Sequence, residues 1–322
     1  MESAQAHVPS SVSASMQALV AGIVDYAGMF PPAKLDPQTT VENFARDRMG
    51  THAFMQGRLV WPASKIDHLD SHGAALMPGT YATSGYREHA DIGEPWRITL
   101  VGDLPIDECV RTINAFNEKH SIEQHGLAII DSLETKLDSS ADIDDLIDTI
   151  PDDVYPFFEI NWRQDPRGLI AALAGTESAA KIRTGGVTPD AFPTSEAVAA
   201  FVSACALANV PFKATAGLHH PIRAEYRLTY EDNPPCGTMH GFVNLFLGAA
   251  MLHALRLEPD VYMQILNETD ASAFSFDDNI ASWRDRTISV EQIAHARERL
   301  CMSFGSCSFA EPVEDLTRLG WL

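Results

Sequence analysis

The sequence of 322 residues lacks several patterns that would identify a functional site directly. No Gly-x-Gly-x-x-Gly follows an early strand-like run and no Gly-x-x-x-x-Gly-Lys-Ser/Thr occurs, so the dinucleotide and P-loop signatures are missing. The spacings His-x-His and His-Glu-x-x-His are missing too, which excludes two common zinc-hydrolase motifs. Any function must therefore be argued from the positions of individual side chains.

Cysteine is scarce and has no recurring spacing. The five cysteines are odd in number, and no Cys-x-x-Cys pair occurs. These features exclude both a disulfide framework and a cysteine-based structural zinc site. We expect the cysteines to be small core residues of a reduced, cytoplasmic protein.

Basic residues are also few, with 23 Lys and Arg against 44 Asp and Glu, which gives a net charge of −21. So acidic a chain is not expected to bind nucleic acid or an anionic membrane surface. The first basic residue is Lys34, so the chain does not open with the basic start of a secretory signal. The most apolar run, residues 241–255, is too short to span a bilayer.

Strand-like and helical runs alternate along the chain, in about eight pairs. This alternation predicts a (β/α)8 TIM barrel formed by a single domain over residues 1–322. A doubly wound α/β sheet is the alternative. We expect residues 1–12 to be frayed, residues 217–239 to form a loop, and residues 273–276 to be the last strand. Residues 301–322 are predicted to be a C-terminal extension, and no element is assigned to 303–309.

Two neighbouring strand-like runs, 179–186 and 211–217, carry charged side chains at alternate positions. Lys181 and Arg183 therefore point to one side, and Lys213 lies on the next strand. The two preceding strands place Glu159 and Glu134 in the same way. An unpaired charge between strands and covering helices would be costly, so we expect all five side chains at the C-terminal mouth of the barrel. The alternative is a buried salt-bridge layer without function.

A Lys-x-x-Thr-Gly strand (181–185) followed by an x-Lys-Ala-x-x-Gly strand (212–217) resembles the deoxyribose-phosphate aldolase group of class I aldolases. The resemblance implies that Lys181 forms a Schiff base and that Lys213 assists it. A lysine crowded by other cations has a depressed pKa and can attack a carbonyl as the neutral amine. Residues 213–221 are also similar to a group of bacterial proteins without an assigned function, which implies no activity.

The pair His219-His220 suggests a second possibility, a divalent metal. With Glu134, Glu159, Asp25 and His240, these histidines would give a mixed nitrogen and oxygen ligand set that suits zinc, manganese or iron. Adjacent residues on an extended chain point apart, so both could bind one ion only if the loop turns sharply between them. The Schiff-base reading, in contrast, requires no cofactor.

Glycines and helix starts near these strands predict an anion site. The Gly185-Gly186 turn and the helix predicted to begin at residues 238–241 could offer backbone N–H groups to a phosphate or carboxylate. Asp25-Tyr26, which precedes Phe30-Pro-Pro, could contribute an acid and an aromatic wall to the mouth. The alternative is a proline-fixed lid hinge or an N-terminal plug. The predicted substrate contacts are Arg183, Gly185, Gly186, His219, His220, Arg223, His240, Asn244 and Asp25.

Three functions are compatible with these residues. The first is a carbon–carbon lyase of the aldolase type that acts on a small phosphorylated or carboxylated carbonyl compound, with Lys181, Lys213, Glu159 and Glu134 as its catalytic residues. The second is a metal-dependent lyase or hydrolase, and the third is a non-catalytic barrel that binds a small molecule. A homo-oligomer is compatible with this fold, but no pattern in the sequence identifies its contact surface.

Overall fold

Thirteen strands are present in the residues that the computed structural model describes, 12–80 and 93–322. They are β1 (Val24–Tyr26), β2 (Gln56–Pro62), β3 (Trp96–Val101), β4 (Ala128–Lys136), β5 (Tyr155–Glu159), β6 (Ala179–Arg183), β7 (Phe212–Thr215), β8 (Ala224–Arg227), β9 (Cys236–Met239), β10 (Phe274–Phe276), β11 (Ile280–Trp283), β12 (Arg286–Ser289) and β13 (Cys301–Ser306). Strands β1 to β7 and β13 close into an all-parallel barrel in the order β1-β13-β7-β6-β5-β4-β3-β2. The predicted (β/α)8 architecture is confirmed, and the doubly wound sheet is excluded.

The same ranges contain eleven α-helices. They are α1 (Ala14–Val20), α2 (Pro37–Asp47), α3 (Ile66–Gly73), α4 (Ile106–His120), α5 (Ile143–Thr149), α6 (Arg167–Leu173), α7 (Ser195–Ala208), α8 (Phe242–Leu255), α9 (Pro259–Leu266), α10 (Val290–Arg299) and α11 (Ala310–Arg318). Local chemistry fixes several of their starts. The Asp36 side chain accepts a hydrogen bond from the backbone N–H of Thr39 at the start of α2, and Ser289 with Gln292 forms a capping box on α10.

The last barrel strand is not where the sequence predicts it. Residues 274–276 are β10, which lies at the edge of a small antiparallel sheet with β11 and β12. The barrel is closed instead by β13, where Phe304 aligns with Val24 of β1 and Gly305 aligns with Thr215 of β7. The prediction of a C-terminal extension from residue 301 is therefore wrong, because this segment completes the barrel.

Two further expectations need correction or fall outside the described residues. The loop predicted over residues 217–239 contains a β-hairpin, in which β8 pairs antiparallel with β9. Of the segment expected to be frayed, residues 1–11 lie outside the described residues, while Val12 packs against the core.

Residues 189–208 are long and apolar enough to cross a membrane by length and composition alone. In the fold they contain α7, which packs against the barrel through buried side chains that include Val198, Phe201, Val202 and Cys205. The apolar character of this stretch is accounted for by its position as a core helix.

The apolar core contains Ile98, Phe158, Ile182 and Phe212 among its strand residues. Charged side chains are buried as well: Asp25, Glu134, Lys181 and Lys213 each expose 4% or less of their surface. Because buried charges are costly unless paired, these four residues mark the part of the barrel where a site is expected.

Candidate active site at the mouth of the barrel

Five barrel strands contribute to a continuous ion-pair network. Lys213 Nζ lies 2.6 Å from Asp25 Oδ2 and 2.7 Å from Glu134 Oε1, so it joins β7 to β1 and β4. Lys181 Nζ lies 2.5 Å from Glu134 Oε2 and 2.7 Å from Glu159 Oε2, and Arg183 Nε is 3.5 Å from Glu159 Oε1. Glu134 therefore bridges the two lysines. Within the network three carboxylates balance three cations.

The register of the strands explains this arrangement. Lys181 and Lys213 are direct neighbours on β6 and β7, and Glu159 is the neighbour of Lys181 on β5. Asp25 is held from two further directions, by the hydroxyl of Ser303 at 2.7 Å and by the backbone N–H of Arg58 at 2.9 Å. The alternation of side chains along adjacent strands thus gathers the charges at one end of the barrel.

The ion pairs set the protonation states. Burial opposes the charge of Glu134, but the ammonium groups of Lys181 and Lys213 outweigh it and lower the pKa of Glu134 to about 2. Burial likewise opposes the charge of Glu159, yet Lys181 and Arg183 lower its pKa. Burial would lower the pKa of Lys213, but Asp25 and Glu134 raise it. The expectation that cations crowd these lysines therefore needs correction, because carboxylates lie between them.

A cavity of about 340 Å³ opens above the network. Lys181 and Glu134 line it, whereas Lys213 is fully buried and does not. Phe30 and Pro31 also line the cavity, so the loop after β1 forms part of its wall, whereas Asp25 and Tyr26, the predicted acid and aromatic wall, do not line it. Of the two neighbouring lysines on β6 and β7, only Lys181 can meet a molecule that enters the cavity.

One side of the cavity suits an anion. Arg183 lines it with half of its side chain exposed, and Gly185 and Gly186 follow directly. The backbone N–H groups of these two glycines donate to no acceptor in the described part of the chain. Gly185 is required by close packing, because a Cβ there would lie 2.4 Å from Phe192 Cε1 and 2.8 Å from Gly217 Cα. A guanidinium and free N–H groups together can bind a phosphate or carboxylate.

Several predicted contact residues lie away from the cavity. Asp25 is beneath it, bound to Lys213. The Nδ1 atom of His220 pairs with Asp315 at 2.5 Å, and its ring stacks on Tyr226 at 3.7 Å. Arg223 Nη1 donates to His240 Nδ1 at 3.1 Å.

The predicted anion site at the start of α8 is not available. The backbone N–H groups of Phe242 and Val243 donate to the carbonyl oxygens of His220 and Pro221, each at 3.0 Å. The Oδ1 atom of Asn244 accepts a hydrogen bond from the backbone N–H of Arg223 at 3.0 Å, so this residue fixes the loop. Because these groups already have partners, they cannot serve a substrate.

The six predicted metal ligands are not brought together. Asp25, Glu134 and Glu159 hold the ammonium groups, and the two adjacent histidines bind different carboxylates. Burial, with Arg223, lowers the pKa of His240 to about 4, although the carbonyl of Pro193 opposes this. No group of three or more His, Cys, Asp or Glu side chains with metal-binding geometry occurs within residues 12–80 and 93–322.

The structure adds residues that the sequence did not single out. Glu311 on α11 accepts from His219 Nδ1 at 2.8 Å and from the Tyr230 hydroxyl at 3.0 Å. Thr215 and Cys307 line the cavity, as does His219, which was predicted. Glu311 and Cys307 were missed because they follow the eighth strand, which the pattern did not reveal.

The fold and the site together define a (β/α)8 barrel with a lysine-containing cavity at the C-terminal ends of its strands, the face where active sites of such barrels lie. Comparisons with protein-family models, with curated proteins and with solved structures give no match to this chain. The assignment of a function therefore depends on the chemistry of the site.

Proposed function

We propose that this protein is a carbon–carbon lyase of the aldolase type, which acts on a small anionic carbonyl compound through a Schiff base on Lys181. The observation that carries the proposal is the difference between the two lysines. Lys181 lines the cavity, and Lys213, its direct neighbour on β7, is sealed beneath it. Covalent catalysis needs an amine that a carbonyl carbon can reach, and Lys181 meets that need.

The ion pairs suggest how each group would act. Lys181 Nζ would pass one proton to Glu159 Oε2, 2.7 Å away, and attack the carbonyl carbon as the neutral amine. Loss of water then gives the iminium ion. Cleavage of the neighbouring carbon–carbon bond sends its electron pair to the iminium nitrogen and gives an enamine, while a base takes the proton of the β-hydroxyl group, which becomes the carbonyl of the released product. Protonation of the enamine carbon and addition of water to the resulting iminium ion then release the second product and restore the Lys181 amine. Lys213 would stay an ammonium ion, because its neighbours raise its pKa, and would keep Glu134 ionised beside the reacting nitrogen.

The anionic part of the substrate would bind Arg183 and the free N–H groups of Gly185 and Gly186. A cavity of about 340 Å³ lies near the lower end of the usual range for ligand sites, which favours a small substrate. A charge at this end would orient the carbonyl group toward Lys181, which lines the same cavity.

The test is turnover of phosphorylated and carboxylated aldol compounds, followed through the carbonyl product released, in the presence of a chelator. We expect activity to survive the chelator, to be destroyed by borohydride added with substrate, and to be absent in Lys181→Met. Lys136→Met, which removes an exposed lysine from β4, is the matched control and should retain activity. Loss of activity with the chelator alone would favour the metal-dependent reading instead.

A further inference from the structure

An unusual backbone turn brings His219 to the cavity wall. Ala216 and Gly217, directly after β7, both have positive φ angles, 61° and 71°. The left-handed region is unfavourable for alanine by about 1–2 kcal/mol, and such strain is concentrated at functional sites. Beyond the turn, His219 lines the cavity that contains Lys181, and it is only 5% exposed.

The His219 ring is held in one orientation by α11. Its Nδ1 atom lies 2.8 Å from Glu311 Oε2, which also accepts a hydrogen bond from the Tyr230 hydroxyl at 3.0 Å. A carboxylate at Nδ1 favours the tautomer with the proton on Nδ1 and leaves a lone pair on Nε2. Nε2 has no hydrogen-bond partner among residues 12–80 and 93–322, so no group in that part of the chain competes for its lone pair, and His219 itself lines the cavity.

Glu311 is suited to this positioning role because it stays ionised. Burial would raise its pKa, but the hydrogen bond and charge of His219 and the Tyr230 hydroxyl lower it. Its backbone N–H donates to Ser308 Oγ at 3.2 Å, at the start of α11, which fixes the residue that carries the carboxylate.

The proposed chemistry needs a second base, at the carbon next to the iminium, because Glu159 takes the proton of Lys181 in the first step. Efficient proton transfer requires a group with a pKa near the working pH. Glu134 also lines the cavity, but Lys181 and Lys213 lower its pKa to about 2 despite its burial, so it does not supply this second base. An imidazole has an ordinary pKa of about 6.5 and is the usual group for this task.

We propose that His219 is the catalytic acid–base that moves the substrate proton next to the Schiff-base carbon, and that Glu311 is the residue that positions it. This inference rests on the proposed Schiff base at Lys181. His219 Nε2 takes a proton from the carbon next to the iminium, and the electron pair of that C–H bond moves to the iminium nitrogen to give an enamine. The imidazolium returns a proton to the same carbon when the enamine collapses to the iminium.

The chain contains a built-in control in the next residue. His220 also pairs through Nδ1 with a carboxylate of α11, Asp315, four positions after Glu311. Its ring stacks on Tyr226 and does not line the cavity with Lys181. Substitutions at His220 and Asp315 therefore measure the effect of weakening a contact between this loop and α11, without removing the proposed base.

The experiment follows the exchange of the methyl protons of pyruvate for deuterium in D₂O by NMR, together with borohydride trapping of the pyruvate adduct. We expect His219→Gln to form the trapped adduct within about twofold of wild type but to exchange protons about 10²- to 10⁴-fold more slowly. Glu311→Gln should slow the exchange less and should change its pH profile. His220→Gln and Asp315→Asn should stay within about twofold of wild type in both readouts, because neither side chain lines the cavity that contains Lys181.

The groups that could affect the pH profile are few within residues 12–80 and 93–322. Arg227 shares a small pocket with His219, and its guanidinium stays charged over the working pH range. Glu311 and Tyr230 touch His219 or its partner, and the His220 ring is 6.4 Å away. Burial raises the pKa of Tyr230, and burial raises the pKa of Cys307, next to Tyr230, to about 11. Neither group then titrates near neutral pH. If His219 is the base, the ascending limb of the wild-type profile should be lost in His219→Gln and retained in His220→Gln.

Two results would overturn the inference in distinguishable ways. A trapped adduct with wild-type exchange in His219→Gln would refute the role of His219 and leave the Schiff base intact. The same would hold if Glu311→Gln matched Asp315→Asn in both exchange rate and pH profile. If the wild-type protein gave no trapped adduct with pyruvate or with dihydroxyacetone phosphate, the proposed function would fail, and the role of His219 would fail with it.

Discussion

Replacement of Lys213 by Met tests how the buried charges hold the barrel together. Lys213 is fully buried, and its ammonium group is the partner of both Asp25 and Glu134. Methionine has a similar volume to lysine but no charge, so in the variant the buried carboxylates of Asp25 and Glu134 lose a positively charged partner. Removing one partner of a buried pair costs about 3–5 kcal/mol, which is a large part of the stability of a typical domain. We expect a loss of this size in the free energy of unfolding at pH 7.

The pH dependence of this loss follows from Glu134. Its ordinary pKa of 4.5 is lowered to about 2 in the folded protein, because the two ammonium groups outweigh the effect of burial. A lowered carboxyl pKa contributes stability above its unfolded value, and this contribution disappears as the pH falls from 4.5 toward about 2. The shift corresponds to about 3 kcal/mol as an upper value. Lys213→Met removes one of the groups that lower this pKa, so its deficit relative to wild type should narrow below pH 4.5.

Urea unfolding followed by tryptophan fluorescence at pH 7 and pH 4 measures both effects. Lys136→Met removes an exposed lysine from β4 and should change the free energy of unfolding by less than about 0.5 kcal/mol. A loss below about 1 kcal/mol for Lys213→Met at pH 7 would show that Lys213 does not stabilise the buried carboxylates, because removing one partner of a buried pair costs more than this. An equal loss at both pH values would show that the effect does not depend on the ionisation of Glu134.

Other predictions concern the cavity wall. Arg183→Met should raise KM for an anionic carbonyl substrate about 10- to 100-fold, which is the equivalent of one charged hydrogen bond. Borohydride trapping of acetone, which has no anionic group, should not change. If the reaction with acetone weakened as much as the reaction with the anionic substrate, Arg183 would not be the residue that binds the anion. Gly185→Ala should lower the free energy of unfolding by about 1–3 kcal/mol in urea titrations, because its Cβ would collide with Phe192 and with the backbone of Gly217. Wild-type stability in that variant would contradict the packing described.

The clustering of charges was predictable because it depends on local rules. In adjacent parallel strands, alternate residues share a face, and neighbours in register meet. Lys181 and Lys213 therefore had to lie side by side once their strands were recognised, with Glu159 next to them. Which lysine reaches the cavity was not predictable, because the burial of Lys213 depends on packing around the whole barrel.

The eighth strand and the wall beyond it were missed for physical reasons. Residues 301–306 read Cys-Met-Ser-Phe-Gly-Ser, with no β-branched residue to indicate a strand. Gly305 fits because a Cβ there would lie 2.9 Å from Thr215 Oγ1 on β7, a contact that only the closed barrel creates. The orientation of His219 depends on Glu311, 92 positions later, so spacing could not reveal it. Asp25 was assigned to substrate because its partner was likewise unknown.

The site of borohydride reduction identifies the lysine that forms the Schiff base. The protein would be reduced in the presence of pyruvate or dihydroxyacetone phosphate, digested, and the modified lysine located by tandem mass spectrometry. We predict one adduct per chain on Lys181, absent from Lys181→Met, because Lys181 alone of the two network lysines lines the cavity. An adduct on Lys213, adducts spread over exposed lysines, or full turnover without any adduct would contradict this prediction.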